Sequence, residues 1–276
     1  MKYSRNLLGT RCSIEILDCD FSMKDIETSF ALIENFEKNY SRFLRGNILS
    51  KLNKEKKHSL TKELKVLIEI GVKLGDISKG YFDITILPYL ENAGYGIEQE
   101  RLEENIGYKH IILSESEVQL ENSVSIEFGA YGKGYILDRV YNYLREKYAH
   151  FILDFGGDIK VMGKREIHLE NPGEDKKYYG VIELENASIA SSNGLKRKFG
   201  NEEHHLINIK NGKSSNDVYT VFCCHSKGVF ADGFATVLSV SPKKVTQDIL
   251  KRVPGLEALI VYADGSQLRS GRFISL

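Results

Sequence analysis

The hydrophobic pattern of this chain switches irregularly between helical spacing and strand-like alternation, and this constrains the fold more than any single motif. From about Met23 to Lys38, Ile26, Phe30, Ile33 and Phe36 recur at helical spacing. A second helix is expected from a Thr61 N-cap through Leu64, Leu67, Ile68 and Val72, with Gly80 just past its end. A third spans about Gly132 to Lys147, with Ile136, Val140, Tyr143 and Leu144 on one face. Strand-like runs cover Cys12–Leu17, His110–Leu113, Val124–Phe128, Phe151–Phe155, Tyr179–Leu184, Val218–Cys224 and Leu259–Ala263. Several of these strands follow one another in the second half. The order predicts an α+β fold with mixed sheets and packed helices, not a regular doubly wound sheet.

The 276 residues suffice for one large domain or two closely packed lobes. Glu170–Lys177 reads as an exposed turn and not a linker, so residues 1–276 are taken as one domain. Lys plus Arg number 38 and Asp plus Glu number 38. That balance argues against a protein that coats nucleic acid, which needs a basic surplus to displace counterions. No run approaches the ~18 apolar residues of a membrane span. The first residues lack the apolar core of a secretory signal, so a cytoplasmic location is expected unless a leader was removed. The four cysteines, Cys12, Cys19, Cys223 and Cys224, have no metal-ligand spacing and read as buried free thiols.

Chemistry-bearing residues gather in four segments. In Ile126–Tyr135 a strand runs into a glycine-rich turn that opens a helix and carries Lys133. This is either a tight turn or a phosphate site built on free N–H groups. Leu153–Asp158 ends in Gly-Gly-Asp, for which the plain reading is a hairpin whose Asp158 caps the backbone. In Ala231–Thr236, a helix would stack Asp232 and Thr236 one turn apart as hard oxygen ligands for Mg²⁺; the alternative makes Asp232 an N-cap. In His204–Asn208, alternation would send His205 and Ile207 to one face and His204 and Leu206 to the other. One histidine would then be either a general base or a structural residue.

The order of these segments, with others upstream, resembles the ApbE family of FAD:protein FMN transferases. The matching elements are Leu8-Gly9-Thr10, Tyr40-Ser-Arg-Phe43 through Asn53, and Gly80-Tyr-Phe-Asp-Ile-Thr85 with Pro88. Gly107-Tyr108, Glu127 through Tyr135 with Asp138, Gly156-Gly157-Asp158 and Ala231-Asp232-Gly-Phe-Ala-Thr236 continue the series. The resemblance implies a T-fold-like scaffold with an FAD and metal cleft between two lobes. It also implies transfer of the FMN half of FAD to a Thr or Ser hydroxyl of an acceptor protein, with release of AMP. By the same resemblance Asp232, Thr236 and the Ala130 carbonyl would hold Mg²⁺. Leu8, Phe43, Tyr81, Phe82, Asp83, Glu127, Lys133 and Leu206 would contact FAD, and His205 with Asp232 would be catalytic.

The chain departs from the family pattern in three places. Ser191-Ser192-Asn193-Gly194-Leu195 lacks the family's tyrosine, His205-Leu-Ile-Asn-Ile209 lacks an aspartate and a proline, and Glu127 replaces an aspartate. FAD hydrolysis to FMN and AMP, or flavin binding without turnover, are the alternatives to transfer.

Overall fold

The computed structural model describes residues 1–96, 102–195, 198–199 and 203–276, with backbone alone at 198 and 199. Strands β1 (Lys2–Leu7) and β2 (Thr10–Ile16) form a hairpin. Its turn residues Leu8 and Gly9 have φ of 56° and 67°, the left-handed pair that matches strand twist. Helix α1 (Met23–Tyr40) buries the predicted stripe Ile26, Phe30, Ile33 and Phe36. Helix α2 (Ile48–Glu55), unpredicted, is capped by Asn47, whose side chain accepts the Ser50 N–H at 2.8 Å. After β3 (Lys57–Ser59), α3 (Lys62–Ile77) starts at the predicted Thr61 cap, and Gly80 beyond its end has φ +73°. Then come α4 (Leu87–Asn92), β4 (Ile111–Leu113), β5 (Glu117–Leu120) and α5 (Gly132–Leu144).

The strand-rich half follows: β6 (Phe151–Phe155), β7 (Asp158–Met162), β8 (Lys164–Glu170), β9 (Tyr178–Glu185) and β10 (Ser188–Asn193). Short strands β11 (Lys198–Phe199), β12 (Glu203–His204), β13 (Ile207–Asn208) and β14 (Lys213–Ser214) precede the long β15 (Val218–His225). Helices α6 (Gly228–Val240) and α7 (Lys243–Arg252) and strands β16 (Glu257–Tyr262) and β17 (Gln267–Arg269) complete the chain.

Eight strands form one antiparallel sheet in the order β1-β2-β6-β7-β10-β15-β16-β17. Alternation along β15 divides the interior. Val221 and Cys223 point into the main core with α1, α3, α5 and α6, whereas Phe222 and Cys224 face a smaller core under the β8–β9 hairpin. Helices on one face of an antiparallel sheet make the fold α+β, as predicted, but the named strand pairs among the described residues are all antiparallel, so the expected mixing of parallel and antiparallel strands is not found. Cys12, Cys223 and Cys224 are buried free thiols, and burial pushes Cys12 up to about 12. Cys19 is exposed, against expectation.

Among the described residues, the predicted strand Val124–Phe128 joins no sheet and makes an isolated parallel bridge from Ser125 to Ile86. The run is extended, but its backbone groups are met elsewhere, by the Asn53 side chain at Ile126 and by the Ile84 carbonyl at the Glu127 N–H. This arrangement frees the segment to lead into the site. Among the described residues, no helix is long and apolar enough to cross a membrane.

Candidate active site

The glycine-rich segment, the Gly-Gly-Asp hairpin and helix α6 converge on one cavity of about 380 Å³. Helix α5 opens at Gly132, and its Gly134 N–H donates to Asp232 Oδ2 at 2.9 Å. Asp232 is not an N-cap. Helix α6 begins at Gly228, and the capping carboxylate comes from Asp138 of α5, which accepts the Gly228 and Val229 N–H groups at 2.7 and 3.0 Å. Asp232 therefore stands inside α6, 7% exposed, and Thr236 lies one turn further along. Both line the cavity, as does Ala130 just before α5.

Lys133, in the first turn of α5, sits between two carboxylates. Its ammonium pairs with Asp158 and lies 3.7 Å from Asp232 Oδ1. The Gly-Gly-Asp segment does form a hairpin, with φ of 70° and 98° at Gly156 and Gly157. Asp154, and not Asp158, accepts the turn N–H, from Gly157 at 2.9 Å. Asp158 is released from capping for the ion pair.

The opposite wall is aromatic. Phe43, half exposed, and Tyr95 hold the Arg42 guanidinium between them, at 4.3 and 4.6 Å from the two ring centroids. Arg42 also donates to Glu91 at 2.9 Å and to the Tyr95 carbonyl at 2.6 Å. The Tyr95 ring in turn lies 5.9 Å from the His205 ring. His205 and Leu206 both line the cavity, so the predicted alternation fails here. The strand breaks between β12 and β13, and the Leu206 carbonyl accepts the Ser215 N–H at 2.7 Å. His204 is buried and structural, with Nε2 3.2 Å from Asn216 Oδ1.

Leu8 reaches the cavity because its left-handed turn is fixed by its N–H bond to Glu37 Oε1 at 2.7 Å. Tyr81 and Phe82 line it from the turn after α3. Asp83 also lines it, yet its carboxylate is spent internally: Oδ1 accepts the Thr85 N–H and hydroxyl at 2.9 and 2.7 Å, and Oδ2 the Tyr108 N–H at 2.9 Å. Burial raises the Asp83 acid above the usual carboxylate range against the opposing pull of these bonds. Glu127 is buried and accepts the Gly129 N–H at 2.7 Å, shaping the turn into α5. Residues spread from Leu8 to Thr236 thus meet in one place.

A family model described as the ApbE family matches residues 8–260. The chain belongs to the ApbE family. It is 26% identical to the FAD:protein FMN transferase of Klebsiella pneumoniae (strain 342) over 139 residues, 47% of this chain and 44% of that protein. A protein of the same name from Buchnera aphidicola subsp. Schizaphis graminum is 23% identical over 238 residues, 75% of this chain and 70% of its own. The chain spans less than half the length of the Klebsiella relative and of one from Treponema pallidum, 44% and 46%. The crystal structure of the ApbE protein of Thermotoga maritima MSB8 superposes with a TM-score of 0.90 at 22% identity, covering 99% of this chain and 97% of that one. The flavin transferase ApbE of Vibrio cholerae gives 0.85 at 18% identity, with 100% and 98% covered. These likenesses establish the fold.

Within this ApbE chain, among the described residues, no three His, Cys, Asp or Glu side chains cluster as a metal site. A set of one carboxylate, one hydroxyl and one carbonyl lies outside that pattern. Asp232, Thr236 and Ala130 all face the same space, and Asp232 Oδ1 already looks toward a positive charge. An all-oxygen set with room for water and phosphate fits Mg²⁺. Sequence reasoning missed Arg42 and Tyr95 as cavity walls. Arg42 stands inside the Tyr40–Phe43 match, which was a usable signal; Tyr95 carried none.

Proposed function

We propose that this chain transfers the FMN half of FAD to a Thr or Ser hydroxyl of an acceptor protein, with Mg²⁺, and releases AMP. The observation that carries the reading is the meeting of Asp232, Thr236, Lys133 and His205 on one cavity. The names of the relatives, FAD:protein FMN transferase, agree with it. In this reading 1–276 is one functional unit, and the cavity is the FAD cleft between the α5–α6 side and the Phe43–Tyr95 wall.

The acceptor hydroxyl oxygen forms a new bond to the FMN phosphorus, and the bond from that phosphorus to the bridging oxygen breaks, leaving on AMP. His205 takes the hydroxyl proton. Lys133 faces the pyrophosphate charge, and Tyr81, Phe82, Phe43, Leu8 and Leu206 enclose the rings. Asp83 and Glu127 shape the two turns beside them. Asp232, Thr236 and the Ala130 carbonyl would hold Mg²⁺, which supplies Lewis-acid charge neutralisation at the phosphate oxygens. The rest is positioning and electrostatics, as phosphoryl transfer requires. A cytoplasmic place of action belongs to the same reading, and the four free thiols agree with it.

Hydrolysis is the second reading, with water as nucleophile. It is favoured by Asn208, which replaces the family's aspartate and whose side-chain oxygen accepts the Lys210 N–H at 2.9 Å. Incubation with FAD, Mg²⁺ and a candidate acceptor domain separates the outcomes. An FMN adduct on the acceptor with stoichiometric AMP is expected. Free FMN and AMP without adduct means hydrolysis, and intact FAD that remains bound overturns both.

A further inference from the structure

We propose that the outer edge of β1 is the docking strand for the acceptor protein: an extended segment of that protein adds to the sheet beside β1 and is led along it to the cavity. The proposal rests on the reading of the chain as a transferase, since only transfer needs a protein acceptor.

Strand β1 ends the eight-stranded sheet, and its hydrogen-bonding phase shows what its outer side offers. Met1 and Ile16 exchange two bonds. The Met1 amino nitrogen donates to the Ile16 carbonyl at 2.6 Å, and the Ile16 N–H donates to the Met1 carbonyl at 3.1 Å. In an antiparallel pair such an exchange recurs at every second residue. Tyr3, Arg5 and Leu7, opposite Ile14, Cys12 and Thr10, therefore turn their backbone groups inward to β2. Lys2, Ser4 and Asn6 turn theirs outward. Among the described residues no backbone partner meets those outward groups, and all three residues are exposed. The neighbouring side chains are held to the faces of the sheet. Arg5 pairs with Glu27 and Glu34 of α1, and Ser4 Oγ lies 3.0 Å from Ser13 Oγ.

Proteins blunt sheet edges by shortening, bending or covering them, because an open edge recruits further strands. The opposite edge obeys this rule. Strand β17 has three residues, and the chain after it folds back on the sheet, with the Ser270 N–H on the Ala258 carbonyl at 2.9 Å and Arg272 on Glu257 at 2.5 Å. Strand β1 has six residues in unbroken register, with no proline and no bulge. Its far end indicates the occupant. Leu8 and Gly9, where β1 stops, both line the cavity. The open ladder ends there because the Leu8 N–H is taken by Glu37 Oε1 at 2.7 Å. A strand paired with Asn6 comes over Leu8 within about two residues, ~7 Å at the usual rise, so a Thr or Ser at that place stands at the cavity. A second copy of this chain gains nothing from that continuity, whereas a protein that must present a hydroxyl does. Backbone pairing of this kind recognises an extended segment beside the hydroxyl and asks little of its sequence.

The test follows amide hydrogen exchange in the whole chain, with and without the candidate acceptor domain and with FAD omitted. The Ser4 and Asn6 N–H groups should exchange quickly in the free chain and about tenfold more slowly beside the acceptor. Those of Tyr3, Arg5 and Leu7 should be slow in both. Ser4→Pro removes one outward donor and leaves the β1–β2 ladder whole. It should raise the KM for the acceptor about tenfold, while kcat, FAD affinity and the thermal midpoint stay at the parent's values. Should Ser4→Pro disturb the hairpin, the exchange measurement on the parent chain decides alone. Unchanged exchange at Ser4 and Asn6 beside an acceptor that takes the FMN adduct, or a parent-like KM in folded Ser4→Pro, overturns the docking strand and leaves the transferase reading standing. If no acceptor takes an adduct, the transferase reading fails and the docking proposal with it. Protection that appears without acceptor and grows with protein concentration makes the occupant a second copy of this chain, which also overturns the proposal.

Discussion

Asn53 and Ile126 exchange two hydrogen bonds across 73 residues of sequence: the Asn53 amide nitrogen donates to the Ile126 carbonyl, and its oxygen accepts the Ile126 N–H, both at 2.8 Å. One side chain does what a neighbouring strand would do for the segment leading to Glu127. Asn53→Ala should leave both backbone groups of Ile126 unmatched and cost about 2 kcal/mol. Urea unfolding measures it. A loss below ~0.5 kcal/mol would show that the segment holds its course without Asn53.

That pair also marks where sequence reading reaches its limit. The residues Val124 to Phe128 have strand character, and periodicity alone says so correctly. Periodicity does not say which partner satisfies the backbone, because a side-chain amide 73 residues away leaves no local trace. The long amphipathic helices were legible because each buries one stripe on a continuous core. Helix α2 was missed because it is short, and only Leu49 and Leu52 of it are buried. Asp158 was read as a cap for a related reason. Gly-Gly-Asp announces a turn, but the lysine that claims the carboxylate lies on another element.

Acid should unfold the protein partly through Asp25. Its carboxylate is held from about 3.8 down to about 2, first by the Lys147 ammonium and then by the Tyr143 and Tyr148 hydroxyls. Tyr143 lies in the last turn of α5 and Lys147 and Tyr148 in the turn just beyond it, so the carboxylate ties α1 to that end of the helix. A lowered folded-state value means the stabilisation is fully present above the unfolded value, near pH 4, and disappears as pH falls through about 2. Urea midpoints measured from pH 5 to pH 2 should therefore decline less steeply in Asp25→Asn than in the parent. Parallel declines would remove Asp25 from the acid response.

Asp232 has two separable tasks, and two substitutions divide them. Asp232→Asn keeps an oxygen for the Gly134 N–H, so its thermal midpoint should stay near the parent. Asp232→Ala loses that acceptor and should cost ~1–3 kcal/mol. Turnover of FAD should fall by ~10²-fold or more in both, the scale on which loss of a charge-placing group acts. Full turnover in either variant would take Asp232 out of the reaction.

Gly134 tests what the glycine-rich turn is for. Sequence alone left two purposes open, a tight turn or a phosphate cradle. The packing adds another, for a Cβ at Gly134 would run into the Gly228 carbonyl and stand 2.7 Å from Asp232 Cβ. The N-terminal turns of α5 and α6 therefore touch backbone to backbone, and that contact brings Asp232 within reach of Lys133. A Cβ at Gly132, two residues earlier, would meet the tip of Phe36 at 3.4 Å, an ordinary contact. Gly132→Ala should thus change stability far less than Gly134→Ala, which should cost ~1–3 kcal/mol by overpacking. If Gly134 served only to admit a phosphate, its alanine variant would keep the parent's unfolding midpoint and lose FAD affinity alone. Loss of stability in the absence of FAD, together with weakened Mg²⁺ binding, would instead tie this glycine to the helix crossing that sets the position of Asp232.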